Sequence, residues 1–300
     1  MGKAIELLRK KHSEKNWFLF LDELLYRYED DGVSEIGAQL TYYLILAIFP
    51  FLIFFLSILK YTPLSDVKVL ETMLSVLPGE TQNLLYNLIN EIMKKSNFAL
   101  LSIGALGAVW SSSKGILSII KAVNRAFDLE EDRPFWKLRG LAIVFTIALF
   151  FILVIAFSIL IFGEVLFDII INSYNLPFLI LWKIMKVLIP LVFMTLIFSI
   201  LYKFSPSIKE GVNVKLNETI PGSIFASGGI ILFSVLFSFY VNGFGNYTNT
   251  YGSLGGIIIL LIWIYAISIV IVLGAEINAT LISQKNKKIK SRHKSTNSNF

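Results

Sequence analysis

Residues that ordinarily carry catalysis are scarce in this chain. It contains no cysteine, and its two histidines, His12 and His293, lie in charged segments near the ends of the chain. Metal-dependent hydrolysis needs several His, Asp or Glu side chains at ligand spacing. The acidic run at 128–132 is flanked by Arg125 and Arg133, which favours an ion-paired loop over a set of metal ligands. We therefore expect no metal site, no cofactor and no enzymatic activity.

Polar residues stand inside strongly apolar sequence instead. An unpaired polar group in hydrocarbon is costly and usually marks a cavity, a partner or a transport path. Glu276 and Asn278 follow an apolar run, and Glu276 can carry protons, pair with a basic group of another span or be solvated at the inner interface. In the stretch Trp110-Ser-Ser-Ser-Lys114, at least one serine is expected to face protein or water, and Lys114 can contact a substrate or an anionic headgroup. The alternative is helix packing through small residues and hydroxyls, with a snorkelling lysine.

Two further candidate groups lie at the ends of apolar segments. Tyr42 leads into an apolar segment that contains Pro50, where a missing backbone N–H predicts a kink. The alternative for Tyr42 is an aromatic belt at the cytoplasmic interface. The segment Asn242–Ser253, rich in glycine, amide, hydroxyl and tyrosine, includes Tyr251 and Gly252. It precedes a helix whose N-terminus favours an anion, although a tight turn with a helix cap explains the same composition.

The elements that must position these residues are membrane helices. Hydrophobic residues make up 55% of the chain and charged residues 16%, with a mean hydropathy of +0.70, whereas soluble domains are about 25% charged. About 20 apolar residues are needed to cross the hydrocarbon core as a helix. The sequence therefore predicts an all-α, polytopic transmembrane bundle of six spans. These spans are Leu40–Leu59, Phe98–Ile120, Leu141–Phe162, Leu179–Leu201, Ile220–Val241 and Leu254–Ala275.

The chain is predicted to have three parts. Residues 1–39 form a cytoplasmic segment with an amphipathic helix that lies along the membrane surface. Residues 40–282 form the six-span membrane domain, with a second amphipathic segment around 84–92 at the outer interface. Residues 283–300 form a basic cytoplasmic tail that is rich in Asn and Ser and predicted to be disordered.

The distribution of Lys and Arg predicts the orientation. Twenty of the 27 Lys and Arg residues lie in the four segments that a six-span arrangement places on the same side, and the loops 163–178 and 242–252 contain none. Positively charged segments are retained in the cytoplasm. Both termini are therefore expected inside, in a multi-pass membrane protein.

Several motifs resemble those of a known family. In chain order they are GAQLTYYLILAIFPF (37–51), AVWSSSKGI (108–116), AVNRAF (122–127), LYKFSP (201–206), PGSIFAS (221–227), YGSLGGIIILLIWIY (251–265) and LGAEINA (273–279). With these, the chain resembles the YihY or virulence-factor BrkB family, historically labelled ribonuclease BN. The resemblance implies a six-helix inner-membrane protein without an agreed activity, for which transport or lipid translocation has been suggested. By motif, the residues of interest are Tyr42, Pro50, Trp110, Ser112, Asn124, Arg125, Tyr251, Gly252, Glu276 and Asn278.

The leading functional hypothesis is a transporter or lipid translocase. In it, polar groups of the first, second and sixth spans line a cavity that two proline-containing helices gate. Cationic Lys114 and Arg125 favour an anionic solute or a lipid headgroup as the substrate. Membrane lipids are the expected partners, nucleic acid is not expected, and self-association is left open. A non-catalytic membrane scaffold or envelope-assembly factor is the alternative, and a membrane-tethered ribonuclease is the remote one.

Overall fold

The computed structural model describes residues 16–59, 98–151, 179–207, 214–244 and 255–297, and these residues contain helices and no strand. The helices are α1 (Asn16–Asp30), α2 (Val33–Leu59), α3 (Phe98–Ala126), α4 (residues 135–151), α5 (Leu179–Phe204), α6 (Leu216–Phe244) and α7 (Gly255–Asn297). Five of them, α2, α3, α5, α6 and α7, are long and apolar enough to cross a membrane. The chain is a polytopic bundle of membrane helices, as its composition predicts.

The third predicted span, Leu141–Phe162, lies only partly within the described residues. Helix α4 covers its first half, up to residue 151. The total of six spans and the cytoplasmic position of both termini therefore stay predictions. The predicted amphipathic segment around 84–92 lies outside the described residues.

The helices extend beyond the spans that hydropathy predicts. Helix α2 begins at Val33 rather than Leu40, α3 ends at Ala126 rather than Ile120, and α7 continues to Asn297. The basic tail, for which the sequence predicts disorder, is thus helical as far as that residue. A helix that has already formed grows without a new nucleation step, and Lys, Gln and Glu propagate helices well.

Helix α1 folds back against the bundle through a sharp turn at Gly32. The backbone there is left-handed (φ 63°), a conformation that glycine adopts without strain. Helix α1 packs against α7. Leu24 and Tyr28 of its apolar stripe are half-buried, whereas Trp17 and Leu21 are exposed. The exposed part of the stripe is available to the membrane surface, where the sequence predicts that α1 lies.

Helices α2 and α3 pack closely because α3 presents glycine to α2. A Cβ atom at Gly104 would lie 2.9 Å from the backbone nitrogen of Phe54, and one at Gly107 would lie 3.3 Å from Cβ of Pro50. Small residues let two helix backbones approach in this way. The opposite face of α3 is open, since Leu106 is 72% exposed. Helix α3 therefore has one interior face rather than a wholly buried surface.

Helix α7 is the centre of the bundle. It packs against α6 and also contacts α1, α2 and α3, while α5 packs against α6 and reaches α7 through the Tyr202 hydroxyl. Helices α6 and α7 cross at Gly222 and Gly274, where a Cβ on Gly222 would overlap the carbonyl oxygen of Gly274. The side chains of α7 directly after this crossing, residues 275–280, are buried.

Candidate functional site: buried polar groups at one end of the bundle

Glu276 is the most unusual side chain in the described part of the chain. It lies on α7 and is fully buried, and neither of its carboxylate oxygens has a hydrogen-bond partner there. Thr280, one helical turn further along, is also fully buried, and its hydroxyl has no partner among the described residues. Buried polar groups are normally hydrogen-bonded, because an unsatisfied group costs about 1–3 kcal/mol. An exception of this kind indicates a functional role.

Enclosure by protein, rather than depth in the membrane, isolates Glu276 from water. At a rise of about 1.5 Å per residue, Glu276 lies roughly 31 Å along α7 from Gly255, near the end of a hydrocarbon core about 30 Å thick. A side chain at that level on a lipid-facing helix would reach water. Here Val33 of α2, Ala122 of α3 and Val272 of α7 form a buried apolar cluster one turn before Glu276. Packing of α1, α2 and α3 against α7 therefore keeps the carboxylate dry.

Two arginines join α1 and α3 beside this carboxylate. Arg27 of α1 donates from Nη1 to the carbonyl oxygen of Ala126 at 2.7 Å, and Arg125 of α3 donates from Nη2 to the carbonyl oxygen of Asp30 at 3.0 Å. Each arginine thus caps the C-terminus of the other helix, where carbonyl groups lack intrahelical partners. Arg125 Nε also lies 3.5 Å from Oδ1 of Asp31.

This charged junction acts electrostatically on Glu276. Asp31 and Asp128 repel its carboxylate, while Arg27 and Arg125 attract it. Burial raises the pKa of Asp31 itself above the ordinary value, although the guanidinium groups of Arg27 and Arg125 oppose that effect. The Nε atom of Arg27 is buried and has no acceptor among the described residues. Among the described residues, the Glu276 carboxylate therefore has no hydrogen-bond partner, while the Arg27 guanidinium of this junction has an unused donor.

Asn278 hydrogen-bonds the backbone of helix α6 on either side of Pro221. Pro221 has no backbone N–H to donate within that helix. Asn278 accepts a hydrogen bond at Oδ1 from the backbone N–H of Gly222 (2.7 Å) and donates from Nδ2 to the carbonyl oxygen of Thr219 (3.0 Å). The Thr219 hydroxyl in turn lies 2.7 Å from the hydroxyl of Ser199 on α5. A buried hydrogen-bond network thus ties α5, α6 and α7 together next to Glu276.

A second network fixes the loops at the same end of the bundle. Asn124 donates from Nδ2 to Glu131 at 2.6 Å and accepts from the backbone N–H of Ser207 at 2.8 Å. Arg133 binds both carboxylate oxygens of Glu131 and donates to the carbonyl oxygens of Phe204 and Ser205 after α5. Burial raises the pKa of Glu131, but the hydrogen bonds and charge of Arg133 lower it more, so the net shift is downward. The acidic run therefore contains an ion pair, as the sequence predicts.

An apolar cavity of about 270 Å³ lies between α2, α3 and α4. Its walls include Leu44 and Phe54 of α2, Ala108 and Ser112 of α3, and Thr146 and Leu149 of α4. Thr146 donates its hydroxyl to the carbonyl oxygen of Ala142, which leaves its methyl group as the exposed part. The polar character that the sequence indicates for this part of α3 does not produce a polar cavity.

The structure brings together four of the residues that the sequence selects. Asn124, Arg125, Glu276 and Asn278 all lie at the end of the bundle where α3 ends and α6 begins. This end also holds the Lys285–Glu218 ion pair (2.7 Å). It is the end that the Lys and Arg distribution predicts to be cytoplasmic.

The remaining selected residues lie elsewhere. Lys114 is exposed, and Tyr42 is 60% exposed. Ser112 borders the apolar cavity, and Pro50 packs against Gly107. Trp110 stacks against the guanidinium of Arg139. Tyr251 and Gly252 lie outside the described residues.

Sequence reasoning missed Arg27, Arg133, Arg139 and Thr219. The three arginines read as ordinary positive charges of cytoplasmic segments, and Thr219 as part of the boundary of a span. Their spacing along the chain carries no signal, because their partners are 99, 71, 29 and 59 residues away.

The comparison with known proteins places the chain in a family. Residues 24–299 match the family model described as virulence factor BrkB. The chain belongs to the BrkB family. The match agrees with the motifs at 37–51, 108–116 and 273–279, so the recognition from sequence is confirmed. The BrkB-family chain is accordingly a multi-pass bacterial membrane protein.

Its relatives carry names that describe location more than activity. The BrkB-family chain is 38% identical over 270 residues to the putative ribonuclease-like protein YfkH of Bacillus subtilis, covering 89% of this chain and 96% of YfkH. It is 28% identical to a UPF0761 membrane protein of Acinetobacter baylyi, covering 96% of this chain and 68% of that protein. A UPF0761 membrane protein of Pseudoalteromonas atlantica is 26% identical, with 82% and 80% covered. No solved structure matches the chain.

Proposed function

We propose that this BrkB-family protein is a transporter in which Glu276 takes up and releases a proton during the transport cycle. The observation that carries the proposal is the complete burial of this carboxylate without a hydrogen-bond partner among the described residues. A carboxyl group in such surroundings is stable as the neutral acid and unstable as the anion. Any rearrangement that admits water or a cationic partner reverses that preference, so the group exchanges a proton with each rearrangement.

A proton suits this position better than a metal ion. A divalent cation needs several oxygen ligands, and the described residues contain no group of three His, Asp or Glu side chains that could hold one. The nearby guanidinium groups of Arg27 and Arg125 also repel a cation. A proton needs only one carboxylate oxygen and removes the charge that is costly to bury.

The junction of α1 and α3 supplies a second arrangement for the carboxylate. Among the described residues, neither oxygen of Glu276 nor the Nε donor of Arg27 has a hydrogen-bond partner, and the two side chains attract each other electrostatically. A state in which they pair would favour the ionised carboxylate, whereas the present state favours the neutral acid. Exchange between the two states would require the arginine caps between α1 and α3 to open. Opening of these caps is therefore the proposed step that couples protonation to access from the predicted cytoplasmic side.

The test is transport by the purified full chain in liposomes that contain a pH-sensitive dye. The panel contains small anions, organic cations and fluorescent phospholipids, each measured with and without a pH gradient. We expect the unmodified protein to move at least one of them at a rate that depends on the gradient. Glu276→Gln should reduce that dependence at least tenfold, because an amide cannot exchange a proton. Glu35→Gln is the matched control, since Glu35 is an exposed carboxylate at the same end of the bundle.

Two results would reject this proposal. One is equal gradient-dependent transport by the unmodified protein and Glu276→Gln. The other is no transport of any compound by either protein, combined with full rescue of a cellular phenotype by Glu276→Gln. The second result would favour the non-catalytic scaffold, because a scaffold needs the folded bundle and not a proton-exchanging group.

A further inference from the structure

Arg139 is a buried cation that pairs with no carboxylate in the described part of the chain. It lies in the first turns of α4 and is 4% exposed. Its Nη2 donates to the carbonyl oxygen of Trp110 at 2.8 Å, and its guanidinium carbon lies 4.0 Å from the centre of the Trp110 ring. The Nε atom is buried and has no acceptor among the described residues. None of the ion pairs formed within those residues includes Arg139.

A purely structural role does not account for all of these contacts. Stacking on Trp110 and one carbonyl hydrogen bond do hold α4 against α3. A guanidinium has five N–H donors and a full positive charge, however, and neither contact neutralises that charge. Phosphate and carboxylate are the groups that the planar fork of arginine binds best. The Arg139 side chain is therefore suited to an additional, anionic partner.

The apolar cavity between α2, α3 and α4 lies on the same side of α4 as Arg139. Arg139, Ala142 and Thr146 are spaced by three and four residues, so they share one helix face. Arg139 and Ala142 are buried in the bundle, and Thr146 lines the cavity. Seven residues separate Arg139 from Thr146, which corresponds to about 10 Å along the helix. Arg139 and the cavity thus lie on one face of α4, although Arg139 is not itself part of the cavity wall.

The order of groups along α4 matches the layers of one membrane leaflet. Phe135 and Trp136 begin the helix and are 58% and 78% exposed, as expected for aromatic residues at the level of lipid headgroups. Arg139 follows about 4.5 Å deeper, and Thr146 of the cavity wall lies about 10 Å beyond it along the helix. A cation at the boundary between headgroups and hydrocarbon, followed by an apolar cavity, fits a phospholipid of the leaflet that is predicted to be cytoplasmic.

We infer that the α2–α3–α4 cavity holds an acyl chain of an anionic phospholipid whose phosphate group pairs with Arg139. The volume of about 270 Å³ lies just below the range of small-molecule sites, roughly 300–1,000 Å³. It therefore accommodates part of one chain rather than a whole lipid. A free inorganic anion would satisfy Arg139 but would leave the apolar cavity unfilled, and a neutral lipid would do the reverse. This site is independent of the proposed role of Glu276, which lies on α7.

The inference is tested by counting the lipids that stay bound to the purified chain in native mass spectrometry. The protein is first exchanged into nanodiscs that contain equal amounts of phosphatidylglycerol and phosphatidylcholine. We expect one phosphatidylglycerol to be retained by the unmodified protein. Arg139→Gln should reduce this retention at least tenfold, and Arg139→Lys should restore part of it because the charge remains. Lys114→Gln is the matched control, since Lys114 is an exposed cation on α3.

A second variant tests the cavity without removing the cation. Ala108→Leu places a larger side chain in the cavity wall, and it should lower phosphatidylglycerol retention while Arg139 is intact. If Arg139→Gln does not fold, the same question is decided by adding phosphatidylglycerol to delipidated unmodified protein and to Ala108→Leu. Only the unmodified protein should then gain thermal stability.

Three outcomes would overturn the inference. They are no lipid on the unmodified protein, equal retention by Arg139→Gln and Lys114→Gln, and competition by glycerol phosphate as strong as that by phosphatidylglycerol. The last outcome would show that the site binds an anion without a chain. Because binding is measured without transport, its result does not depend on whether Glu276 exchanges protons.

Discussion

Glu276 and Arg139 are two ionisable residues that are similarly buried but differ in the groups they contact. Both are enclosed by helices, and each has polar atoms without partners in the described part of the chain. Arg139 still has a carbonyl group and an aromatic ring as neighbours, whereas the carboxylate of Glu276 has no hydrogen bond there. A group that lowers the stability of the fold and is nevertheless present is best explained by a function that needs it.

Replacement of Glu276 by leucine should make the protein more stable. Glu276→Leu substitutes an apolar side chain of similar size, so the penalty of about 1–3 kcal/mol for an unsatisfied buried group disappears. We expect the unfolding temperature in detergent to rise by a few degrees, as followed by intrinsic fluorescence. Glu35→Leu, at an exposed position, should change stability by no more than about 0.5 kcal/mol. A lower unfolding temperature for Glu276→Leu would mean that the carboxylate has a structural partner.

At the scale of the helices, the crossing of α6 and α7 determines where the polar groups lie. The two backbones meet at Gly222 and Gly274, and Asn278 hydrogen-bonds the backbone groups of Gly222 and Thr219 on either side of Pro221. The Tyr202 hydroxyl of α5 adds a hydrogen bond to the carbonyl oxygen of Ile271 at 2.6 Å. Each contact depends on the close approach of the helices. The rotation of α7 that encloses Glu276 is therefore set by a glycine contact two residues before it.

Two glycines of α6 should respond in opposite ways to replacement by alanine. A Cβ on Gly222 would overlap the carbonyl oxygen of Gly274, and backbone atoms cannot move aside cheaply, whereas a Cβ on Gly228 would meet nothing within 4 Å. Gly222→Ala should lower the unfolding temperature strongly or abolish folding, as measured by thermal denaturation and size-exclusion chromatography. Gly228→Ala should be neutral or stabilise α6 by up to about 1 kcal/mol, because alanine is the better helix former. Equal effects of the two replacements would contradict the close crossing.

At the scale of the whole molecule, side chains from distant segments join the ends of the helices into one network. Arg133 links the loop after α3 to the end of α5, and Arg27 and Arg125 link α1 to α3. Lys285 of α7 pairs with Glu218 of α6. These links involve all the described segments that the Lys and Arg distribution assigns to the cytoplasm. The charged end is thus a connected layer that covers Glu276 rather than a set of separate loops.

This layer should make stability depend on pH through Glu131. Its pKa is lower in the folded protein than the ordinary value of about 4.3, so the folded state holds the proton less tightly than the unfolded state. The stabilisation is therefore complete above about pH 4.3 and is lost as the pH falls through the lower, folded pKa. We expect the unmodified protein to unfold at a higher temperature than Glu131→Gln at about pH 7, with a difference that shrinks toward about pH 3.

The exposed neighbour Glu130 supplies the control for this measurement. Glu130→Gln should follow the unmodified protein at each pH, because its carboxylate is solvated in both states. A constant difference between Glu131→Gln and the unmodified protein across the whole range would show that the Glu131–Arg133 pair does not contribute through its charge.

The sequence by itself determined the membrane class, the approximate position of the spans, the family and the residues Glu276 and Asn278. These follow from hydropathy, from motif order and from polarity within apolar runs, all of which are properties of the chain read locally. Only the tertiary structure decided that Lys114 is exposed, that Arg139 is buried and that Arg27 lies beside Glu276. The physical reason is that hydropathy reports how deep a residue lies but not which way it faces. The rotation of each helix about its own axis is set by close contacts between residues far apart in the chain, such as that of Gly222 with Gly274.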